Sequence, residues 1–204
     1  MTAATPQLEL WRSRFGADYT IRNDRERPER VAALRRVLDG LDVADALEIG
    51  CNVGWNLRYL RRLGVSKVWG VEPQRFALTR ARARSPDLDL VEADAGDLPF
   101  RDRRFDLVFT SGVLIHIGPS QLPTALAEMA RVSRRYLLVI EYDHPSEVEV
   151  EYRGHAGALW KRDHGAAVAA HCPDFARIRT GHLDVAEGYD DCTYHLFERR
   201  GAVS

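Results

Sequence analysis

Residues 46–55 read Ala-Leu-Glu-Ile-Gly-Cys-Asn-Val-Gly-Trp, and a second apolar run ends at Val71-Glu72-Pro73. The first run stops in a turn carrying Gly50 and Gly54 and passes into a helical pattern; the second stops on a carboxylate. Open α/β sheets bind nucleosides with this arrangement. Small residues let the backbone approach the ligand, and the carboxylate accepts both ribose hydroxyls. The stretch therefore predicts an α/β fold that binds a cofactor.

Outward from it, strand-like runs alternate with helical patterns. The strands fall at Ala46–Gly50, Lys67–Glu72, Leu88–Glu92, Phe105–Thr110 and Tyr136–Tyr142, with helices over Trp55–Leu63, Gln74–Ala83 and Gln121–Val132. That alternation predicts a parallel sheet covered on both faces. Before it, an aromatic-rich segment from Leu8 to Asn23 reads as a helix with a loop, and Pro28–Leu38 as a helix with proline in its first turn. After Asp143 the rhythm breaks. A polar, His-rich, loop-rich insertion runs from His144 to about residue 172, followed by strands near Ala176–His182 and Thr193–Arg199.

Composition narrows the function classes. A chain of 204 residues suits one α/β domain with a substantial core. The net charge of −1 and the lack of a basic run argue against a nucleic-acid partner. Apolar runs such as Tyr136-Leu-Leu-Val-Ile140 are too short for a bilayer, and Met1 to Gln7 reads as a polar tail rather than a leader. Cys51, Cys172 and Cys192 are odd in number and widely spaced, which disfavours a disulfide framework. The expected protein is cytoplasmic, a monomer or homodimer, and bound to no membrane.

The glycine pattern separates two nucleotide cofactors. A dinucleotide site wants G-x-G-x-x-G, but Asn52 stands where the middle glycine would make room for a pyrophosphate. Glu48, two residues before Gly50, would oppose a diphosphate yet suits the α-amino group of a methionine moiety. Asp94-Ala-Gly-Asp-Leu-Pro-Phe100 adds a carboxylate beyond the third strand, and the fourth strand leads into Thr110-Ser-Gly-Val-Leu114.

Together these four segments resemble the class I S-adenosylmethionine-dependent methyltransferases over roughly residues 45–142. The resemblance implies a Rossmann-like, doubly wound seven-stranded sheet, of order 3-2-1-4-5-7-6 with the last strand antiparallel. It implies S-adenosylmethionine as cofactor, with Glu48, Gly50, Cys51, Asn52 and Gly54 at the methionine end and Glu72 and Pro73 at the ribose. Asp94 and Ala95 would hold the adenine, with Ser111 and Val113 beside them. Asn52, in place of the family's usual glycine, is the departure. The flanks are similar to the methylases associated with pseudaminic acid biosynthesis: Trp11-x3-Phe15-Gly16-x2-Tyr19-x2-Arg22-Asn23, Val113-Leu-Ile-His-Ile117, Glu141-Tyr142, Tyr152-Arg153-Gly154-His155 and Lys161-Arg162-Asp163. This resemblance implies a small polar acceptor, a nonulosonic or nucleotide sugar or a specialised metabolite.

Methyl transfer to oxygen or nitrogen needs alignment, exclusion of water and removal of a proton. His116, just past the fourth strand, is the first candidate base; a helix-start histidine bonded to backbone is the bland alternative. His155 is the second candidate. Glu141 could accept a proton or hold an amine, or simply cap the following loop, and Tyr142 shares its strand end. Arg153, Lys161 and Arg162, with Tyr152, could clamp an acidic acceptor; a solvated face with Asp163 as partner is the alternative. Trp11, Phe15 and Tyr19 could form a lid with Arg22 and Asn23 beneath, or an ordinary packing helix. No histidine or cysteine pair has zinc-site spacing, so no metal is expected. The chain thus divides into a helical lid segment over 1–40, a cofactor core over 45–142 and a substrate-side insertion over 144–172. Rival readings are a nicotinamide-dependent oxidoreductase, a non-catalytic nucleoside-binding protein and, less favoured, an RNA methyltransferase.

Overall fold

Asp45–Ile49 (β1) occupies the middle of a sheet, with Ala46, Leu47 and Ile49 buried on one face or the other. The computed structural model describes residues 5–201. Lys67–Val71 (β2) and Phe105–Ser111 (β4) flank β1, both parallel to it, and Asp89–Val91 (β3) lies outside β2. Ser133–Glu141 (β5) follows β4 in parallel, then Cys192–Arg199 (β9) runs antiparallel between β5 and Phe175–Leu183 (β8). The order is β3-β2-β1-β4-β5-β9-β8. Counted along the sheet's own seven strands, this is the expected 3-2-1-4-5-7-6 with the last strand reversed.

Successive residues along each strand feed opposite faces, as a pleated strand requires. Leu138 and Leu196 belong to one core with Leu34 and Val37 of Arg30–Val37 (α3) and Leu57 and Leu60 of Trp55–Arg62 (α4). Leu137 and Phe197 belong to the other, with Leu126 and Met129 of Leu122–Val132 (α6) and Val168 of His164–His171 (α7). Arg75–Arg84 (α5) follows β2 and packs on β3. With both faces covered, the strand ends carrying the loops after β1, β2 and β4 are left to build a site.

Three expectations need correction. The segment from Leu8 to Asn23 is two helices, Pro6–Arg12 (α1) and Arg14–Asn23 (α2), because the Ser13 hydroxyl accepts the Phe15 N–H and starts a new helix. Pro6 and Gln7 of the tail belong to α1, and Met1–Ala4 lie outside the described residues. Pro28 lies ahead of α3, in a turn closed by the Arg30 N–H on the Arg27 carbonyl. The insertion after Asp143 is ordered rather than loop-rich: Val148–Tyr152 (β6) and His155–Lys161 (β7) form a hairpin, and α7 follows. The alternation Val-Glu-Val-Glu-Tyr is a strand with one polar face. Arg153 and Gly154, at φ 53° and 81°, supply the two left-handed residues of a tight hairpin turn. Asp163 caps α7 by accepting the Ala166 N–H. Among the described residues no helix is long and apolar enough to cross a membrane.

Candidate active site

The loop after β1 turns sharply enough to leave a hollow above the sheet. Gly50 sits at φ 70°, and a Cβ there would lie 2.6 Å from a Val113 methyl carbon, so only glycine lets the loops after β1 and β4 meet. Asn52 takes φ 47°, a left-handed conformation that asparagine tolerates, so the family's glycine is replaced without changing the turn. Gly54, at φ 75°, opens α4. The turn is fixed to β2: the N–H groups of Gly50 and Cys51 both donate to the Val71 carbonyl, at 2.8 and 3.0 Å. Glu72 completes the link, accepting the Asn52 N–H at 2.8 Å and the Gln74 N–H at 2.9 Å.

These loops surround a cavity of about 300 Å³. Of the residues expected at the cofactor, Tyr19, Asn23, Glu48, Gly50, Cys51, Asn52, Glu72, Pro73, Asp94, Ala95, Ser111 and Val113 line it, as do His116 and Tyr142. Gly54 is just behind the wall, and Arg22 is exposed on α2.

Burial sets the electrostatics. Glu48 is 2% exposed, and the loss of water pushes its carboxyl up to about 8, against the Asn56 amide bonded to Oε1 at 2.7 Å. Its Oε2 has no partner in the protein. Burial likewise raises Glu72 to about 7 against its two backbone donors. Burial lowers His116 to about 4, so the imidazole is neutral near pH 7. His116 Nδ1 lies 2.8 Å from the Ala158 carbonyl, which can only accept; Nδ1 therefore carries the proton and Nε2 keeps a free lone pair. An aromatic roof closes over it: Trp11 lies 4.5 Å from the His116 ring centroid and 5.0 Å from that of Tyr19.

Comparison with known proteins joins this geometry to a family. Residues 47–136 match the model of a methyltransferase domain. A methyltransferase of Synechocystis sp. is 36% identical over 86 residues, covering 42% of this chain and 40% of that protein. The ubiquinone/menaquinone biosynthesis C-methyltransferase UbiE of Campylobacter jejuni is 28% identical over 79% of this chain and 61% of its own length. The chain thus spans less than two thirds of these relatives. Among solved structures, the 1,6-didemethyltoxoflavin-N1-methyltransferase of Burkholderia thailandensis, bound to its substrate and S-adenosylhomocysteine, superposes with a TM-score of 0.74. That likeness, at 15% identity, covers 98% of this chain and 91% of the other, and it establishes the fold. The family match covers under half of the chain, so residues 47–136 are similar to a methyltransferase domain.

The donor of such domains is S-adenosylmethionine, and this cavity fits it. The unpartnered oxygens at Glu48 Oε2, Asn52 Oδ1 and the Tyr189 hydroxyl are buried and belong to lining residues, an acceptor-rich set that suits an ammonium group. Arg30 stands beside them, its guanidinium 4.3 Å above the Tyr189 ring and bonded to Asn56 Oδ1 at 3.3 Å. Arg30, Asn56, Gln74, Tyr189 and Asp190 line the site but were not legible in the sequence. Asn56 lies two residues after Gly54, in the first turn of α4, while Tyr189 and Asp190 come from a loop with no motif.

Several candidates lie outside the cavity. Glu141, fully buried, turns away from it and accepts the N–H groups of Val113, Leu114 and Ile115 and the Thr110 hydroxyl. It caps the loop. Arg162 is 3% exposed, donates to the Ile117 carbonyl and pairs with Glu147 at 3.0 Å, and it does not line the cavity. Tyr152 and His155 pack on Phe15 from behind, while Arg153 lies over Tyr152 and Lys161 over Tyr142. The insertion therefore backs the wall and contributes no residue to the lining. Asp163 caps a helix instead of pairing with its neighbours. Two of the C-terminal histidines, His164 and His195, share the carboxylate of Asp143, at 2.9 and 2.6 Å.

Proposed function

We propose that the protein transfers a methyl group from S-adenosylmethionine to an oxygen or nitrogen of a small polar metabolite. The observation that carries this reading is His116, a neutral imidazole on the cavity wall whose Nδ1 proton is committed to a carbonyl. Its Nε2 is free to accept the proton released as a hydroxyl or amine is methylated. When bound, the cofactor supplies an electrophilic methyl on a sulfonium centre. Glu48, Tyr189 and Asn52 hold the methionine ammonium, Arg30 pairs with its carboxylate, Glu72 receives the ribose hydroxyls, and Asp94 and Ala95 meet the adenine. Trp11 and Tyr19 exclude water from above.

The flanking motifs support a nonulosonic or nucleotide sugar, or another specialised metabolite, as acceptor. The neutral charge balance supports a small molecule over nucleic acid. On this reading residues 1–40 are a lid, 45–142 the cofactor core and 144–172 its buttress, in one cytoplasmic domain working as a monomer or homodimer. A nicotinamide cofactor is disfavoured by Asn52 and by Glu48 at the place a pyrophosphate would need.

Incubation with trideuteromethyl S-adenosylmethionine and a small-molecule extract of the source organism, read by mass spectrometry, tests the proposal. A labelled product is expected, and its fragments locate the methylated atom. Cofactor binding without label in any acceptor would favour a non-catalytic binding protein; binding of NAD instead would establish an oxidoreductase.

A further inference from the structure

Residues 113–117 carry both Val113, packed against Gly50, and His116, yet they form only one short 3₁₀ turn, Leu114–His116. A turn of that length has too few internal hydrogen bonds to fix a side chain; its own are His116 N–H to Val113 and Ile117 N–H to Leu114. Its position is imposed from outside. The Glu141 carboxylate grips the front, with Oε1 accepting Val113 and Leu114 N–H at 3.1 Å each and Oε2 facing Ile115 N–H at 3.4 Å. Oε1 is itself oriented by the Thr110 hydroxyl at 2.9 Å. Arg162 grips the rear, donating from Nη1 to the Ile117 carbonyl at 3.1 Å. Between them the Ala158 carbonyl of β7 holds the imidazole.

Both gripping groups are costly to bury. Glu141 is 0% and Arg162 3% exposed, and Arg162 keeps only the Nη1 bond to Ile117 and the Nε ion pair with Glu147, its Nη2 being buried without a partner. A capped loop alone would need a single neutral acceptor, whereas here one carboxylate spans three successive N–H groups and a guanidinium holds the next free carbonyl. We infer that Glu141 and Arg162 are positioning residues that hold the 113–117 turn from both ends, so that His116 presents Nε2 to the acceptor. The inference rests on the reading of His116 as the base. Neither residue touches the cofactor or the acceptor; both act through the turn.

The test is Glu141→Gln in the full chain, followed by ¹⁵N NMR of labelled histidine, calorimetric binding of S-adenosylmethionine, and steady-state kinetics. Glutamine keeps the shape but turns an NH₂ donor against backbone N–H groups, so the turn shifts. The expected result is cofactor affinity changed by less than about tenfold, while kcat falls on the order of a hundredfold with little change in KM. The His116 ring should also lose its pure Nδ1–H signature. A folded Glu141→Gln protein with unchanged His116 shifts and unchanged kcat overturns the inference. If that variant fails to fold, Glu141→Asp decides: its shorter carboxylate cannot span all three N–H groups, so the same shifts should appear in reduced form, and their absence overturns it. Because the histidine spectrum is read without acceptor, absence of methyl transfer in the unaltered protein would defeat the functional reading and leave the turn to be judged by the spectrum.

Discussion

At Glu72 each carboxylate oxygen already accepts one backbone N–H, and each retains a lone pair on the cavity side. Replacing it with alanine removes the ribose contacts and leaves the Asn52 and Gln74 N–H groups without their acceptor. Glu72→Ala is expected to weaken S-adenosylmethionine binding by about 2–3 kcal/mol. Calorimetry giving an unchanged Kd would refute the ribose role. His116→Ala should leave that Kd unchanged and lower kcat by roughly 10²–10⁴-fold, the usual worth of a positioned base. The pH profile is the sharper check. Burial holds His116 down to about 4 from 6.5, so kcat should stay level through pH 6 and fall only as pH approaches 4. A limb near 6.5 would mean that the ring is hydrated and is not the one described.

The joint between α1 and α2 depends on one missing side chain. A Cβ on Gly16 would stand 1.9 Å from the Trp11 carbonyl oxygen, the same oxygen that accepts the Gln74 amide at 2.9 Å. Gly16→Ala therefore drives the two helices apart and takes Trp11 and Tyr19 off the cavity, a repacking that costs about 1–3 kcal/mol. The expected outcome is a weaker Kd for S-adenosylmethionine with the sheet intact; an unchanged Kd would show that α1 and α2 only pack. The far end of α2 is anchored differently. Asp24 pairs with Arg80 and Arg84 of α5 and accepts the Trp55 indole N–H, tying the end of α2 to two core helices.

For the molecule as a whole, the buried carboxyls of the site set a pH dependence. Glu48 and Glu72, raised from 4.5 to about 8 and 7, stay protonated in the folded chain where the unfolded chain has released its protons. Stability from these groups is present below pH 4.5 and is lost as pH rises through 7 to 8. His116 works in the opposite sense between 4 and 6.5, so the glutamates act unopposed by it above 6.5. Urea midpoints of the ligand-free protein should fall between pH 6.5 and 8, and Glu48→Gln should flatten that slope; a rising midpoint would show the site to be wet. The sequence by itself determined the alternation of strands and helices, because strand and helix periods, glycine turns and a terminal carboxylate are local patterns that need no partner to be read. The sheet order came from the family resemblance. The sequence also pointed to the loops after β1, β2 and β3, whose residues line the cavity, since each loop follows its strand directly. What only the tertiary structure decided was everything reached across the fold. Glu141 read as a base or a cap and caps the loop, and Arg162 read as a clamp or a solvated cation and is buried against the Ile117 carbonyl, because a side chain's direction depends on which distant backbone lies beside it. Tyr189 and Arg30 join the site although far apart in sequence, because β9 folds back beside β5 and brings the loop before it over α4. A buried charge is assigned by its partners, and partners are brought together only by packing.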